Sequence, residues 1–360
     1  MMKIYQPTIM DCTLRDGSYS IDFQFNKKDT KLLVNKLSKA KIPFIEVGHG
    51  VGLGASKKGF GLSASTDKEY CKAAASGISN SSKWGVFCIP GIASLDDLKM
   101  TFDYDIDFVR IGTNIENVDS SKEFIQLAKK HKVTVFANFM KSYTVSPKKF
   151  AATANKSYDF GSEVIYIVDS SGGMYPDQLE QYIKEVQNIN QNIDLGFHGH
   201  NNLGMGMANC LTSIKNGVKY IDATLQGIGR SSGNVVLEHL CCALKFNGLA
   251  NQIDPIDIMD IGEKYIRPLL KSVGISSLDI TAGWKLFHSS YMLTVLKISK
   301  KYKIDPRRLI EYLFDHKIKD LTEENLEIIA SQNFKLLNKS QNLKNWPIYF
   351  GNEETYGQKK

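Results

Sequence analysis

The chain has 360 residues, 42% of them hydrophobic and 23% charged, the balance of a globular protein with room for a large core. No uninterrupted apolar run approaches the ~20 residues that span a bilayer. The opening segment Met1-Met2-Lys3-Ile4-Tyr5-Gln6-Pro7 lacks the features of a secretory signal, so no membrane role and a cytoplasmic location are expected. The net charge of +7 comes mostly from lysines spread along helices, such as Lys27-Lys28, Lys129-Lys130 and Lys300-Lys301, with no basic block interleaved with aromatics, which argues against nucleic-acid binding.

Apolar, β-branched runs alternate with stretches of helical period. Strands are expected at 8–14, 44–48, 84–89, 108–111, 134–139, 164–168, 195–200 and 220–225. Helices are expected near 28–40, 66–76, 95–101, 120–132, 146–158, 176–189, 204–216 and 234–247. Eight such units are what a (β/α)8 TIM barrel needs, and residues 1–248 match its usual size. The nearly continuous apolar strands suit a parallel sheet covered by helices. A doubly wound sheet is disfavoured, because the first strand runs into Thr13-Leu14-Arg15-Asp16-Gly17 rather than a glycine-rich phosphate loop.

After about residue 250 the pattern becomes helical, with helices expected at 253–275, 283–302, 305–314 and 323–336. Residues 249–345 are read as a helical C-terminal domain and 346–360 as a polar tail. None of the six cysteines (12, 71, 88, 210, 241 and 242) forms a C-x-x-C pair, and reduced thiols are expected.

Barrel active sites lie at the C-terminal ends of the strands. Those ends here carry Arg15-Asp16, Glu46-Val47-Gly48-His49, Arg110, Asn138, Asp169-Ser170-Ser171-Gly172-Gly173 and His198-Gly199-His200. The eighth is followed by Gly227-Ile228-Gly229-Arg230-Ser231-Ser232-Gly233-Asn234. Two histidines two residues apart on a strand point to one face. With Asp16 they would form a one-carboxylate, two-imidazole set that leaves several positions open on a divalent ion. Mn²⁺ is favoured, with Mg²⁺, Co²⁺, Fe²⁺ and Zn²⁺ as alternatives. Open positions suit a bidentate 2-oxo acid, and Arg15 beside the ligand can balance charge on its enolate. Gly50-Val51-Gly52-Leu53-Gly54 reads as an active-site loop rather than a dinucleotide loop, because no helix follows it directly.

Asp11-Cys12-Thr13-Leu14-Arg15-Asp16-Gly17, joined to His198-Gly199-His200-Asn201-Asn202-Leu203-Gly204, resembles the metal-dependent TIM-barrel lyases and synthases, a group that holds 3-hydroxy-3-methylglutaryl-CoA lyase and isopropylmalate synthase. Within it the chain is most similar to the 4-hydroxy-2-oxovalerate aldolases, through 45–54, Gly59-Phe60-Gly61, 169–173 and 222–229. The resemblance implies metal ligands Asp16, His198 and His200, with Asn234 as a ligand or near-ligand. It also implies enolate stabilisation by Arg15 and contact of Ser171 with the 2-oxo acid. Those aldolases carry a base histidine three residues after the metal aspartate, where this chain has Tyr19. A tyrosine of ordinary pKa near ~10 is a poor base at pH 7, so Tyr19, His49 and His288 stay open as the proton-transfer group. Arg230 stands where neither the synthase nor the CoA-lyase pattern is complete, and is read as binding an anionic acceptor.

The expected activity is cleavage or formation of a 4-hydroxy-2-oxo acid from pyruvate and an aldehyde. A Claisen-type condensation of acetyl-CoA with a 2-oxo acid and a non-catalytic partner subunit are the alternatives. The resemblance also implies an acylating aldehyde dehydrogenase partner, or a homo-oligomer, through the helical extension.

Overall fold

The computed structural model describes residues 6–79, 82–230, 232–270 and 291–334, together with 278, 281, 285 and 287. Its contacts divide the chain into one unit ending at residue 272 and a second starting at residue 273.

The first unit is a closed barrel of eight parallel strands in chain order. These are β1 (Thr8–Asp11), β2 (Phe44–Val47), β3 (Lys83–Cys88), β4 (Phe108–Asn114), β5 (Thr134–Met140), β6 (Val164–Asp169), β7 (Asp194–Gly199) and β8 (Tyr220–Ala223). β8 closes on β1 in the register Ile9↔Ile221. The intervening helices are α1 (Lys27–Lys39), α2 (Asp67–Gly77), α3 (Leu95–Phe102), α4 (Lys122–Lys130), α5 (Pro147–Phe160), α6 (Pro176–Ile189), α7 (Gly206–Lys215) and α8 (Leu237–Phe246).

Local chemistry fixes the helix starts. Asn26 with Asp29, Thr66 with Glu69 and Ser94 with Asp97 form reciprocal capping boxes on α1, α2 and α3. Proline at the first turn, where its missing N–H costs nothing, opens α5 and α6. Each helix buries one apolar stripe against the strands. Leu33, Val34 and Leu37 of α1 pack in the same cluster as Ile9 and Ile45. Burying such a side chain contributes roughly 1.5–3 kcal/mol.

Two of the boundaries that differ from expectation have a local cause. The first strand was expected to reach residue 14 but stops at Asp11, because the Asp11 carboxylate accepts hydrogen bonds from the Thr13 backbone N–H (3.1 Å) and hydroxyl (2.7 Å). That side-chain turn competes with the strand ladder. The helix expected over 253–275 is interrupted: α9 (Pro255–Ile261) gives way to a π turn (Gly262–Ile266) and a 3-10 turn (Arg267–Leu269). Pro268 has no N–H to continue the helical ladder, and its ring crowds the carbonyl one turn back.

In the second unit the described helices are α10 (Met292–Tyr302), α11 (Pro306–Asp315) and α12 (Glu323–Asn333). They share a core of Val295, Ile298, Leu309, Ile310, Leu313 and Leu326. Lys297–Glu323 and Lys301–Glu327 ion pairs join α10 to α12. The tail 346–360 and His288 lie outside the described residues. No helix among the described residues is long and apolar enough to cross a membrane.

Candidate active site

Strand alternation sorts the barrel interior from its outer layer. Met10, Phe108, Phe136, Val164 and Tyr166, with Phe44 and Tyr220 against them, form an inner cluster separate from the strand–helix core. Two residues further along, the same alternation turns Glu46, Arg110, Asn138 and Asp222 inward. All four are buried. Gly196 on β7 leaves space for the Tyr166 ring, since a Cβ there would lie 2.4 Å from it. The interior therefore passes from an aromatic layer to a charged one beneath the barrel mouth.

At that mouth the turn after β1 leads into a short 3-10 helix, Asp16–Ile21, that carries Asp16 and Tyr19. Asp16, His198 and His200 are buried and come together, each offering a ligand atom within 4.8 Å of the others. His198 Nδ1 faces Asp222 Oδ2 at 2.8 Å and His200 Nδ1 faces the Gly233 carbonyl at 3.2 Å. Both partners accept hydrogen bonds, so each imidazole, in its neutral form, carries its hydrogen on Nδ1 and keeps its lone pair on Nε2. Asn234 Nδ2 donates to Asp16 Oδ2 (2.5 Å) and to the Ile228 carbonyl (3.0 Å), while its buried Oδ1 has no hydrogen-bond partner among the described residues. Gly229 closes over this pair, where a Cβ would meet Asn234 Nδ2 at 2.1 Å and Asp16 Oδ2 at 2.9 Å.

Arg15 is buried beside the cluster. Its Nε donates to Glu46 Oε2 (2.8 Å) and its Nη1 to Asp16 Oδ1 (2.7 Å), and its guanidinium lies over the Phe87 ring. Burial opposes the charge on Asp16, but Arg15, His198 and His200 hold its carboxyl well below the usual range. Burial lowers His200 to about 4, so it is neutral and ready to ligate at pH 7. The buried carboxylates Asp16, Glu46 and Asp222 outnumber the guanidiniums of Arg15 and Arg110 by one. That unbalanced charge, two aimed imidazoles and the orphaned Asn234 oxygen together fit a divalent cation.

Cys12, His198 and Asp222 also lie close enough to hold an ion. Arg110 already fills that space, with Nη1 3.2 Å from Cys12 Sγ and Nη2 2.6 Å from Asp222 Oδ2. Burial pushes the Cys12 thiol well above its usual range. This trio is a cation-filled cluster rather than a second metal centre.

The remaining expected residues separate. The Tyr19 ring packs edge-on to Phe23, and a Cβ on Gly50 would fall 2.8 Å from it. Burial raises its phenol, with Arg15 and Arg230 opposing and Asp16 adding to the rise. His49 stacks on Phe23 with centroids 4.0 Å apart. Its Nδ1 accepts from the Val51 N–H (3.0 Å) and its Nε2 donates to the Gly61 carbonyl (3.2 Å), so both ring nitrogens serve the loop backbone. Ser171 is exposed and bonds Asp169 Oδ1 (3.2 Å). Arg230 is exposed, and its Nη2 donates to the Ser170 carbonyl (2.7 Å), tying the β8 loop to the β6 loop. Asp222 went unremarked as a site residue in the sequence. Its position two residues after the inward Tyr220 was the available signal.

The fold and this cluster define a (β/α)8-barrel protein with a buried carboxylate–imidazole centre at the strand C-termini. The chain belongs to the HMGL-like family, whose model matches residues 6–264. It is 35% identical over 306 residues to 4-hydroxy-2-oxovalerate aldolase 2 of Rhodococcus jostii (strain RHA1), covering 84% of this chain and 88% of that protein. It is 34% identical over 303 residues to 4-hydroxy-2-oxovalerate aldolase of Geobacillus genomosp. 3, covering 84% and 89%. Among solved structures, hydroxymethylglutaryl-CoA lyase from Pseudomonas aeruginosa shares the fold, with a TM-score of 0.63 at 18% identity over 76% of this chain and 96% of that one.

Proposed function

We propose that this protein is a divalent-metal-dependent aldolase that forms or cleaves a 4-hydroxy-2-oxo acid from pyruvate and an aldehyde. The observation that carries the reading is the buried meeting of Asp16, His198 and His200 beside Arg15, in a chain at least 34% identical over 84% of its length to proteins named as such aldolases. Asp16, His198 and His200 would hold the metal, with Asn234 Oδ1 completing the protein donors. Mn²⁺ is the proposed ion, and Mg²⁺, Co²⁺ and Zn²⁺ are the alternatives. When bound, such an ion supplies Lewis acidity to the oxygens of a 2-oxo acid.

The chain's own residues do the rest. Arg15 is fixed through Nε and Nη1, which leaves Nη2 to face negative charge on the enolate oxygen. Ser171 and Arg230 line the mouth, and we assign them to the 2-oxo acid and the acceptor. For proton transfer we assign Tyr19, because both His49 nitrogens are engaged. In the addition direction the Tyr19 phenolate takes a C3 proton from pyruvate to give the enolate, and the phenol so formed delivers it to the aldehyde oxygen as the new carbon–carbon bond forms. In cleavage the phenolate takes the 4-hydroxyl proton back as that bond breaks.

The test is a screen of pyruvate against small aldehydes with metal analysis of the same sample. Turnover that needs the metal supports the reading. Metal-bound protein that instead releases free thiol from acetyl-CoA with a 2-oxo acid would move it to Claisen chemistry. The proposal extends to a cytoplasmic enzyme whose residues 249–345 dock an acylating aldehyde dehydrogenase or a second copy, which light scattering with and without such a dehydrogenase checks.

A further inference from the structure

Arg110 is completely buried on the inner face of β4. Its nitrogens are spent on neighbours rather than aimed at the mouth. Nε donates to Asn138 Oδ1 (3.1 Å), Nη1 donates to Glu46 Oε2 (3.1 Å) and to Cys12 Sγ (3.2 Å), and Nη2 forms an ion pair with Asp222 Oδ2 (2.6 Å). Its face lies 4.3 Å over the Tyr166 ring.

The two carboxylates it grips are shared with the proposed chemistry. Glu46 Oε2 also receives Arg15 Nε (2.8 Å), and Asp222 Oδ2 also receives His198 Nδ1 (2.8 Å). Arg15 in turn reaches Asp16 through Nη1 (2.7 Å). Arg15, Glu46, Arg110, Asp222 and His198 therefore form one unbroken buried chain whose ends are the enolate-facing guanidinium and a metal-facing imidazole. A rigid planar fork holds two carboxylates in fixed directions, whereas a lysine ammonium is a point charge on a flexible stem that sets no such directions.

We propose that Arg110 is a positioning residue that, by gripping Glu46 and Asp222 together, fixes the aim of Arg15 and holds His198 with Nε2 toward the metal. It acts through those carboxylates and touches neither reacting atom nor ligand set. This rests on the metal-dependent reading above. Its role is to keep the His198 hydrogen on Nδ1 and Asp222 in place to receive it; such outer partners change metal affinity by roughly 10–100-fold when removed.

Calorimetric titration of Mn²⁺ into Arg110→Lys, alongside thermal melting, tests this. The expected result is a folded variant that binds Mn²⁺ on the order of tenfold more weakly, with kcat of pyruvate–aldehyde addition reduced. A folded Arg110→Lys protein with wild-type Mn²⁺ affinity would overturn the proposal. If that variant does not fold, Asp222→Asn is titrated instead: it keeps an acceptor for His198 but removes the charge Arg110 grips. The same weakening is expected, and wild-type affinity overturns the proposal. Nitrogen NMR of the metal-free wild-type protein needs no variant: His198 protonated on Nδ1 is expected, and an Nε2–H tautomer overturns the idea. Wild-type protein that binds Mn²⁺ but joins no aldehyde to pyruvate sinks the aldolase reading and leaves the positioning role standing on the titrations.

Discussion

Asn234 places its side-chain nitrogen 2.5 Å from Asp16 Oδ2, across 218 residues of chain, while Arg15 takes the other oxygen of the same carboxylate at 2.7 Å. Asp16 is thereby held from both sides before any ion arrives. The two residues should separate in a Mn²⁺ titration. Asn234→Ala removes a support and one donor, and affinity should fall by about 10–100-fold. Asp16→Asn removes the carboxylate itself and should fall further. An Asp16→Asn protein that binds Mn²⁺ as the wild type does would remove Asp16 from the metal centre.

Tyr19 makes the pH profile diagnostic. Burial raises its phenol above the ordinary value near ~10, so the phenolate that cleavage needs is scarce at pH 7 and grows tenfold with each pH unit. Cleavage should therefore keep accelerating through pH 9, whereas a histidine base would level off near ~6.5. Tyr19→Phe should lower kcat by roughly 10²–10⁴-fold, and Tyr19→His should bring the plateau down toward neutral pH. A wild-type profile that is flat from pH 7 to 9 would point to another group.

How much of this was readable before folding follows from the range of each interaction. The strand–helix alternation and the meeting of Asp16 with His198 and His200 depend on spacing along the chain, which the sequence pattern carries. The early end of β1 was not legible there, because it turns on one side chain, Asp11, outcompeting a ladder hydrogen bond. His49 looked free at a strand end. Its occupation depends on the Gly61 carbonyl twelve residues away and on a loop conformation that no periodicity encodes. Asp222 looked like an ordinary strand residue until closure of β8 beside β7 set it against His198.

Arg15→Lys separates metal binding from enolate stabilisation. The guanidinium reaches Glu46 and Asp16 with two nitrogens, and in the proposed reaction the third would face the ligand. An ammonium cannot reproduce that fork. Mn²⁺ affinity should fall far less than in Asp16→Asn, since Asp16, His198 and His200 are intact and Asn234 still holds the carboxylate. Yet kcat for addition should fall by about 10²–10³-fold, the range for loss of one preorganised charge stabiliser. Equal losses in Mn²⁺ affinity and kcat would mean that Arg15 serves only to hold Asp16.

Glu238 offers a test of the loop above the site that is independent of activity. This fully buried carboxyl accepts from the Gln226 backbone N–H (2.9 Å) and from Gln226 Nε2 (3.0 Å), and so holds Gln226 at a φ of 55° just before the Gly227–Gly229 turn. Burial raises it to about 7, above the ~4.3 of an unfolded glutamate. A carboxyl raised on folding contributes its stability below the unfolded value and loses it as pH climbs through about 7. Glu238→Gln cannot ionise and keeps an acceptor for Gln226. The variant should therefore be more stable than the wild type by only about 1 kcal/mol at pH 5, just above the unfolded value, and by roughly 2–4 kcal/mol at pH 8. Asp11, which burial also raises to about 7, is present in both proteins, and its charge adds to the rise of Glu238. Thermal melts at the two pH values decide it: a stability difference that does not change with pH would show that Glu238 does not ionise in this window.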